Sequence, residues 1–219
     1  MTEELFSRPA GARMLLLLAH GAGAGMRHRF MESLAGALAE EGVATLRYEF
    51  PYMEQRRRRP DPPAVLQQAV RDAVARAAAA APDLPLFAGG KSLGGRMTSA
   101  AAAGGGLPGV RGLVFFGFPL HPPGRPADRR AEHLGRVELP MLFLQGTRDA
   151  LADLDLMRGV CAGLGARATL HVVESADHSF EVLKRSGRTD AEVLAELAAA
   201  TAAWGLRLAN DRARRAHSH

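Results

Sequence analysis

Three residues of types that together catalyse acyl transfer occur in separate parts of the chain: Ser92, Asp149 and His178. A serine hydroxyl is a weak nucleophile until a histidine accepts its proton, and a carboxylate then orients the imidazole and stabilises its positive charge. Ser92 lies in the segment 90–94 (GKSLG), a G-x-S-x-G pattern typical of the turn that presents a nucleophile between a strand and a helix. The residue types therefore predict a Ser-Asp-His site, with Lys91 as a variable residue of the motif.

Two nucleotide-binding patterns compete with this interpretation. The segment 90–92 (GKS) ends like a phosphate-binding loop, but the first glycine of that motif would fall at Pro85, which has no N–H for a phosphate. The segment 20–25 (HGAGAG) resembles a dinucleotide fingerprint, but its third glycine would fall at Met26. Both mismatches favour the nucleophile turn.

The elements that would position these residues follow from the alternation of apolar runs with helical patterns. Six runs predict strands, at 14–19, 43–50, 84–89, 110–117, 140–146 and 169–174. Their continuous apolar character is typical of buried parallel strands, and the intervening helices would cover both faces. We expect a three-layer α/β/α sandwich with a mainly parallel sheet of about six strands and no cap domain. Residues 1–209 are predicted to be a single domain and 210–219 a basic, disordered tail.

This topology places the predicted acid and base on the same edge of the sheet as Ser92. Asp149 follows the strand at 140–146, and His178 follows the last strand. The carboxyl ends of parallel strands share one edge, where α/β folds place their functional loops. His20, at the end of the first strand, is expected to be structural, and His171 lies within the last strand, away from this edge.

An oxyanion formed at Ser92 would need backbone N–H donors. The residue after the nucleophile, Leu93, is predicted to supply one of them. The glycine-rich loop after the first strand would supply the other, from Ala22 or Gly23.

The walls of the substrate pocket are predicted from the segment 118–139, which is short and rich in proline. Such a segment favours a rigid loop and an open, shallow site rather than a lid. The apolar residues expected to line that site are Met26, Phe118, Pro119 and Leu120.

Composition argues against several other functions. The chain has 47% hydrophobic and 23% charged residues, which are ordinary globular values. Its formal charge of +5 is concentrated in Arg56–Arg59 and in the last ten residues, so the body is near neutral and no nucleic-acid partner is predicted. Arg56–Arg59 are interpreted as a solvated loop, with recruitment of an anionic substrate as the alternative.

The single cysteine, Cys161, permits no disulfide within the chain and no cysteine-based zinc cluster. The acyl-transfer chemistry implies no metal and no organic cofactor. The longest apolar run near the N-terminus, 14–19, is too short for a membrane span or signal peptide, so a cytoplasmic location and no membrane partner are expected. The sequence does not indicate an oligomeric state.

Six segments together resemble the α/β-hydrolase superfamily over nearly the whole chain: LLLLAHGAGAGM, FPYMEQRRRRPDPP, AGGKSLGGRM, GFPLHPPGRP, LQGTRDALA and ADHSF. They are most similar to a branch of small bacterial proteins related to dienelactone hydrolases, whose domain also occurs in testis-expressed proteins and in a subunit of a chromatin-modifying complex. The resemblance implies Ser92 as nucleophile, Asp149 as acid and His178 as base. Dienelactone hydrolases that use cysteine at this turn differ from this chain, which has serine.

The resemblance and the residues lead to the same functional expectation. We expect a serine hydrolase that acts on a small-molecule ester, thioester or similar acyl substrate through an acyl-enzyme. The alternative is a non-catalytic interaction module that retains the fold, since a fold alone does not establish turnover.

Overall fold

A seven-stranded sheet forms the centre of the molecule in a computed structural model that describes residues 3–216 and the side chains of residues 3–211. The strands are β1 (Glu4–Ser7), β2 (Met14–Ala19), β3 (Val43–Tyr48), β4 (Leu86–Lys91), β5 (Val110–Phe116), β6 (Met141–Gly146) and β7 (Ala168–Val173). Their spatial order is β1-β3-β2-β4-β5-β6-β7. Strands β2 to β7 run parallel, and β1 pairs antiparallel with β3.

Within residues 3–216, six α-helices connect or follow these strands. They are α1 (Arg29–Glu40), α2 (Pro51–Glu54), α3 (Pro63–Ala80), α4 (Leu93–Ala103), α5 (Leu154–Leu164) and α6 (Asp190–Ala216). Short 3₁₀ helices occur at Arg129–Arg136, Gly165–Arg167 and Lys184–Ser186.

The apolar strands separate two hydrophobic layers. In β2, Leu15 and Leu17 pack into the layer that holds α3, α4 and α5, whereas Leu16 and Leu18 pack into the layer that holds α1 and α6. Successive side chains of a strand point to opposite faces, so a continuously apolar strand is buried on both. This arrangement confirms the three-layer α/β/α sandwich. Within residues 3–216, only the 3₁₀ helix Arg129–Arg136 lies between β5 and β6, and it forms no cap domain.

The sheet differs from the sequence prediction by an additional strand, β1, and by shifts of up to two residues at the ends of several others, among them β3 and β4. β1 was not predicted, because its four residues are half-buried or exposed and lie at the sheet edge without an apolar run. β4 extends to Lys91, two residues beyond the predicted end, because Lys91 still pairs with Phe116 in the parallel register with β5. The turn that carries Ser92 therefore starts directly from the sheet.

The last helix, α6, begins with reciprocal capping between Thr189 and Glu192. The Glu192 N–H donates to Thr189 Oγ1 at 3.2 Å, and the Thr189 N–H donates to Glu192 Oε2 at 2.7 Å. The helix continues to Ala216, into the segment 210–219 that was expected to be disordered. Alanine and arginine favour helix there, and residues 217–219 lie outside the described residues.

Cys161 lies on α5, where it packs against the larger hydrophobic layer. Burial raises the pKa of its thiol to about 11.

None of the helices within the described part of the chain is long and apolar enough to cross a membrane.

Candidate active site

The turn between β4 and α4 holds Ser92 in an uncommon backbone conformation, with φ 50° and ψ −110°. Such strain at a non-glycine residue persists only where the surroundings fix it, and it concentrates at functional sites. The Ser92 N–H donates to the carbonyl of Phe116 at 3.2 Å, which ties the turn to β5. Ser92 is thereby presented at the carboxyl end of the sheet.

Two glycines of the motif allow the turn to pack directly on the end of β2. A Cβ added at Gly90 would lie 2.3 Å from the carbonyl oxygen of Ala19, and one added at Gly94 would lie 2.5 Å from the same oxygen. These contacts are with backbone, which cannot swing aside. The motif therefore needs glycine at both positions for steric reasons.

The structure brings Ser92, His178 and Asp149 into one line of hydrogen bonds. The Ser92 hydroxyl lies 3.0 Å from His178 Nε2, and His178 Nδ1 lies 2.7 Å from Asp149 Oδ2. The Asp149 side chain has no exposed surface, whereas 24% of the His178 side chain is exposed. The line thus runs from a buried carboxylate to a hydroxyl at the cavity surface.

Asp149, just after β6, has donors on both carboxylate oxygens. Gln145 Nε2 donates to Oδ2 at 2.5 Å, and the Leu151 N–H donates to Oδ1 at 2.8 Å. These bonds compensate the carboxylate for burial and fix its orientation toward His178. Gln145 lies within β6 and supports Asp149, a role that no motif in the sequence predicts.

His178 lies in a tight loop after β7 that Asp177 organises. The Asp177 Oδ1 accepts the N–H groups of Ser179 at 2.8 Å and of Glu181 at 3.0 Å. Phe180 adopts a φ of 63° in this loop, and its ring stacks on Phe30 of α1 at a centroid distance of 5.8 Å. The loop is therefore held from both its backbone and its aromatic side chain.

Lys91 also contacts this loop, although the sequence motif predicts only a variable residue at its position. Its ammonium donates to the carbonyl oxygen of His178 at 2.5 Å and lies 5.8 Å from the ring centroid of Phe30 and 5.5 Å from that of Phe180. Burial lowers the pKa of Lys91 to about 8, although the carboxylates of Asp149 and Asp177 act in the opposite direction.

The loop after β2, from which the second oxyanion donor is predicted, lies beside Ser92. A Cβ added at Gly21 would lie 3.8 Å from Ser92 Cβ, and Ala22 lines the same cavity as Ser92. Gly23, with a φ of 74°, lies one residue further along the loop. Leu93 is the first residue of α4, so its N–H is among those that no helical carbonyl accepts.

His20 supports this loop from below. Its ring is fully buried, with Nδ1 2.8 Å from the Gly21 carbonyl oxygen and Nε2 accepting the Phe50 N–H at 3.0 Å. At the other end of the loop, the Met26 N–H donates to Glu49 Oε1 at 3.0 Å. The structural role expected of His20 agrees with these contacts.

A cavity of about 710 Å³ opens at Ser92 between α1 and the start of α6. Its apolar walls come from residues of α1, α6 and the His178 loop: Phe30, Met31, Phe180 and Leu194. Its polar margin includes His28, Arg29, Ser33, Ser179, Glu181 and Asp190.

The four residues predicted to line the pocket do not form this wall. Met26, Phe118, Pro119 and Leu120 are all buried in the interior. Phe118 packs edge-on against Phe115 and Phe143 beneath the sheet edge. Apolar residues directly after a buried strand complete the core here, so the prediction is corrected in favour of the α1 and α6 residues.

Arg56–Arg59 follow α2 and are exposed. Arg57 donates to Asp61 at 2.6 Å, which neutralises part of the positive charge of the loop, and to Gln55 at 2.9 Å.

Among the residues that the structure describes, no group of three or more His, Cys, Asp or Glu side chains could hold a metal ion.

Several solved structures resemble this fold over nearly their full length. A dienelactone hydrolase from Anabaena variabilis is 22% identical, with a TM-score of 0.71 and coverage of 94% of this chain and 91% of its own. An α/β serine hydrolase homologue from Coxiella burnetii is 19% identical, with a TM-score of 0.71 and coverage of 91% of both chains. An α/β serine hydrolase without a lid from Xanthomonas campestris is 20% identical, with a TM-score of 0.69 and coverage of 94% and 88%.

These solved structures are all less than 25% identical to this chain, and their similarity shows that the fold is shared. A family model described as the alpha/beta hydrolase domain matches residues 12–205, from just before β2 into α6. This match includes every strand from β2 to β7, the turn at Ser92 and the loops that carry Asp149 and His178. The chain therefore belongs to the alpha/beta hydrolase domain family.

Proposed function

We propose that the protein is a serine hydrolase that cleaves small-molecule ester, thioester or similar acyl substrates through a Ser-His-Asp triad. The observation that carries this proposal is the continuous hydrogen-bond line from Asp149 through His178 to Ser92 at the floor of a cavity. A nucleophile, a base and an orienting acid in this geometry are the parts that acyl transfer requires.

Acylation would begin with attack of Ser92 Oγ on the carbonyl carbon of the substrate. The hydroxyl proton passes to His178 Nε2, and Asp149 stabilises the resulting imidazolium through Nδ1–H. The tetrahedral oxyanion is held by the N–H of Leu93 and by that of Ala22 or Gly23. Collapse of this intermediate breaks the bond to the leaving group, which takes the proton from His178.

Deacylation would repeat these steps with water as the nucleophile. His178 accepts a proton from water as it attacks the acyl carbon, and then returns a proton to Ser92 as the acid product leaves. Every proton and bond in the cycle is accounted for by the three side chains, the substrate and water.

The size and lining of the cavity favour a substrate with a small acyl group. Phe30, Phe180 and Leu194 offer an apolar surface beside Ser92, and the volume suits a small molecule. A short aliphatic or aryl acyl group would bury apolar area against these side chains, whereas the polar margin would face the leaving group or solvent.

A fluorophosphonate probe, which phosphonylates activated serines, tests the proposal. We expect labelling of the folded wild-type protein, loss of labelling in Ser92→Ala, and hydrolysis of p-nitrophenyl esters by the wild type only. Mass spectrometry of the labelled peptide locates the modified residue. A folded wild-type protein that neither labels nor hydrolyses any ester of an acetyl-to-octanoyl panel would refute the proposal and favour the non-catalytic interaction module.

A further inference from the structure

We infer that Lys91 is a positioning residue, whose ammonium fixes the backbone of His178 and so keeps the imidazole between Ser92 and Asp149. This inference rests on the proposed function, because it assigns Lys91 a role in the same triad. Lys91 directly precedes the nucleophile, so one short segment would carry both the attacking group and the anchor of its base.

The first support is a direct bond between the two loops of the site. Lys91 Nζ lies 2.5 Å from the carbonyl oxygen of His178, although the residues are 87 positions apart in sequence. Hydrogen bonds from a charged donor are shorter and stronger than neutral ones. The bond acts on the main chain of His178, so it restrains the loop without occupying the imidazole.

The second support is the contact of the ammonium with two aromatic rings. Nζ lies 5.8 Å from the centroid of Phe30 and 5.5 Å from that of Phe180, within the range of cation–π attraction. The two rings are themselves stacked, at an interplanar angle of 14°. Phe180 is two residues after His178, so this contact holds the loop at a second point.

The third support is the tight space beneath the triad. A Cβ added at Gly117 would lie 3.0 Å from Lys91 Nζ, 3.4 Å from the His178 carbonyl oxygen and 3.5 Å from Asp149 Oδ2. Gly117 has a φ of 66°, a conformation that favours glycine. Because glycine has no Cβ, the space beside the Lys91 ammonium stays free. The ammonium thus lies close behind both the base and the acid.

The surroundings of Lys91 are otherwise unfavourable for a charged side chain. Within residues 3–211 it forms no salt bridge, and burial lowers its pKa to about 8. The charged groups acting on it are Asp149 after β6 and Asp177 beside His178; α1 contributes the Phe30 ring, with His28 and Arg29 elsewhere on the cavity margin. Replacing buried charged groups by apolar side chains of similar volume is often neutral or stabilising, so we expect that stability alone does not account for the lysine.

Raising the pH through the pKa of Lys91 should change stability and activity in opposite directions. The pKa of Lys91 is lower in the folded protein than the value of 10.5 expected when unfolded, so the unfolded state binds more protons between about pH 8 and 10.5. Stability contributed by this residue therefore rises with pH across that interval, and the charged form is a cost below it. The charged hydrogen bond to His178, in contrast, is lost as pH rises through about 8.

Lys91→Met tests the inference, with Lys184→Met as a matched control at the only other lysine, which is exposed. Hydrolysis of p-nitrophenyl acetate would be followed from pH 6 to 10, together with the unfolding midpoint at pH 7. For Lys91→Met we expect kcat about 10-fold lower and KM nearly unchanged, as for loss of one charge-assisted hydrogen bond that positions the base. We also expect an equal or higher unfolding midpoint and loss of the wild-type decrease in kcat above about pH 8. Lys184→Met should match the wild type.

A direct measurement complements the kinetics: with ε-¹³C-lysine, Lys184→Met leaves a single lysine signal, expected to titrate near pH 8. An unchanged kcat and pH profile in Lys91→Met, a lower unfolding midpoint, or a signal that titrates near 10.5 would each overturn the inference. Absence of fluorophosphonate labelling in the wild type would instead refute the proposed function, a result that the lysine titration distinguishes from failure at Lys91.

Discussion

Two histidine–carboxylate pairs near β7 have the same hydrogen-bond length and different surroundings. His178 Nδ1 lies 2.7 Å from Asp149 in the loop after the strand, and His171 Nε2 lies 2.7 Å from Glu196, between the strand and α6. A search for close histidine–carboxylate contacts would rank the two pairs equally.

The surroundings separate the pairs. The Asp149 side chain is fully buried, whereas 28% of Glu196 and 35% of His171 are exposed. Glu196 also pairs with Arg188, and within residues 3–211 the second ring nitrogen of His171 has no hydrogen-bond partner. Only His178 joins its carboxylate to a hydroxyl. A hydroxyl partner on the histidine and a carboxylate buried away from water therefore distinguish a candidate triad from a surface ion pair.

The largest expected difference is between the two histidines. His178→Ala should lower kcat/KM for p-nitrophenyl esters by about 10⁴-fold or more, because Ser92 loses its base. His171→Ala should leave kcat/KM within about 2-fold of the wild type, since its pair is remote from the nucleophile. Steady-state kinetics on both purified variants measures the contrast, and comparable losses in the two would remove the distinction drawn here.

A smaller difference is expected between the two carboxylates. Asp149→Asn should lower kcat by about 10³- to 10⁴-fold, because an amide cannot orient the same tautomer or stabilise the imidazolium. Glu196→Gln is the matched neutral substitution and should change kcat by no more than about 2-fold. Circular dichroism would verify that both variants are folded, and near-wild-type turnover by Asp149→Asn would exclude the triad mechanism.

The smallest expected effect is a dependence of stability on pH at the surface pair. Burial acts to raise the pKa of Glu196, but hydrogen bonds from His171 and Arg188 outweigh it, and the pKa lies below the ordinary 4.5. The pair's contribution is therefore present above about pH 4.5 and is lost as pH falls through the folded-state pKa. Calorimetry from pH 3 to 7 should show a weaker acid dependence in Glu196→Gln, and an unchanged dependence would mean that this pair contributes nothing.

The sequence predicted the parts of the fold and site that depend on local pattern and chain order. Continuous apolar runs identified the strands β2 to β7, because strands buried on both faces need apolar side chains throughout. The positions of Ser92, Asp149 and His178 then followed from one rule, that the carboxyl ends of parallel strands meet at one edge. That these side chains act together remains a prediction for the experiments above.

The features that the sequence did not predict depend on packing between distant elements. The cavity wall forms where α1 meets the start of α6, and no local pattern relates Phe30 to Leu194. Phe118 and Leu120 follow a strand at the correct edge, but only the packing of the core decides whether such residues point into it. Lys91 was missed because its partner is a main-chain carbonyl, which has no signature in side-chain types.

Cys161 on α5 is partly buried, and its thiol should react slowly with alkylating reagents. With a pKa of about 11, Cys161 carries almost no thiolate at neutral pH, and the chain has no other cysteine. In Ser92→Cys, the introduced thiol would therefore be the one cysteine that alkylating reagents attack quickly. The pH profile of that alkylation would report on the neighbouring imidazole without any substrate.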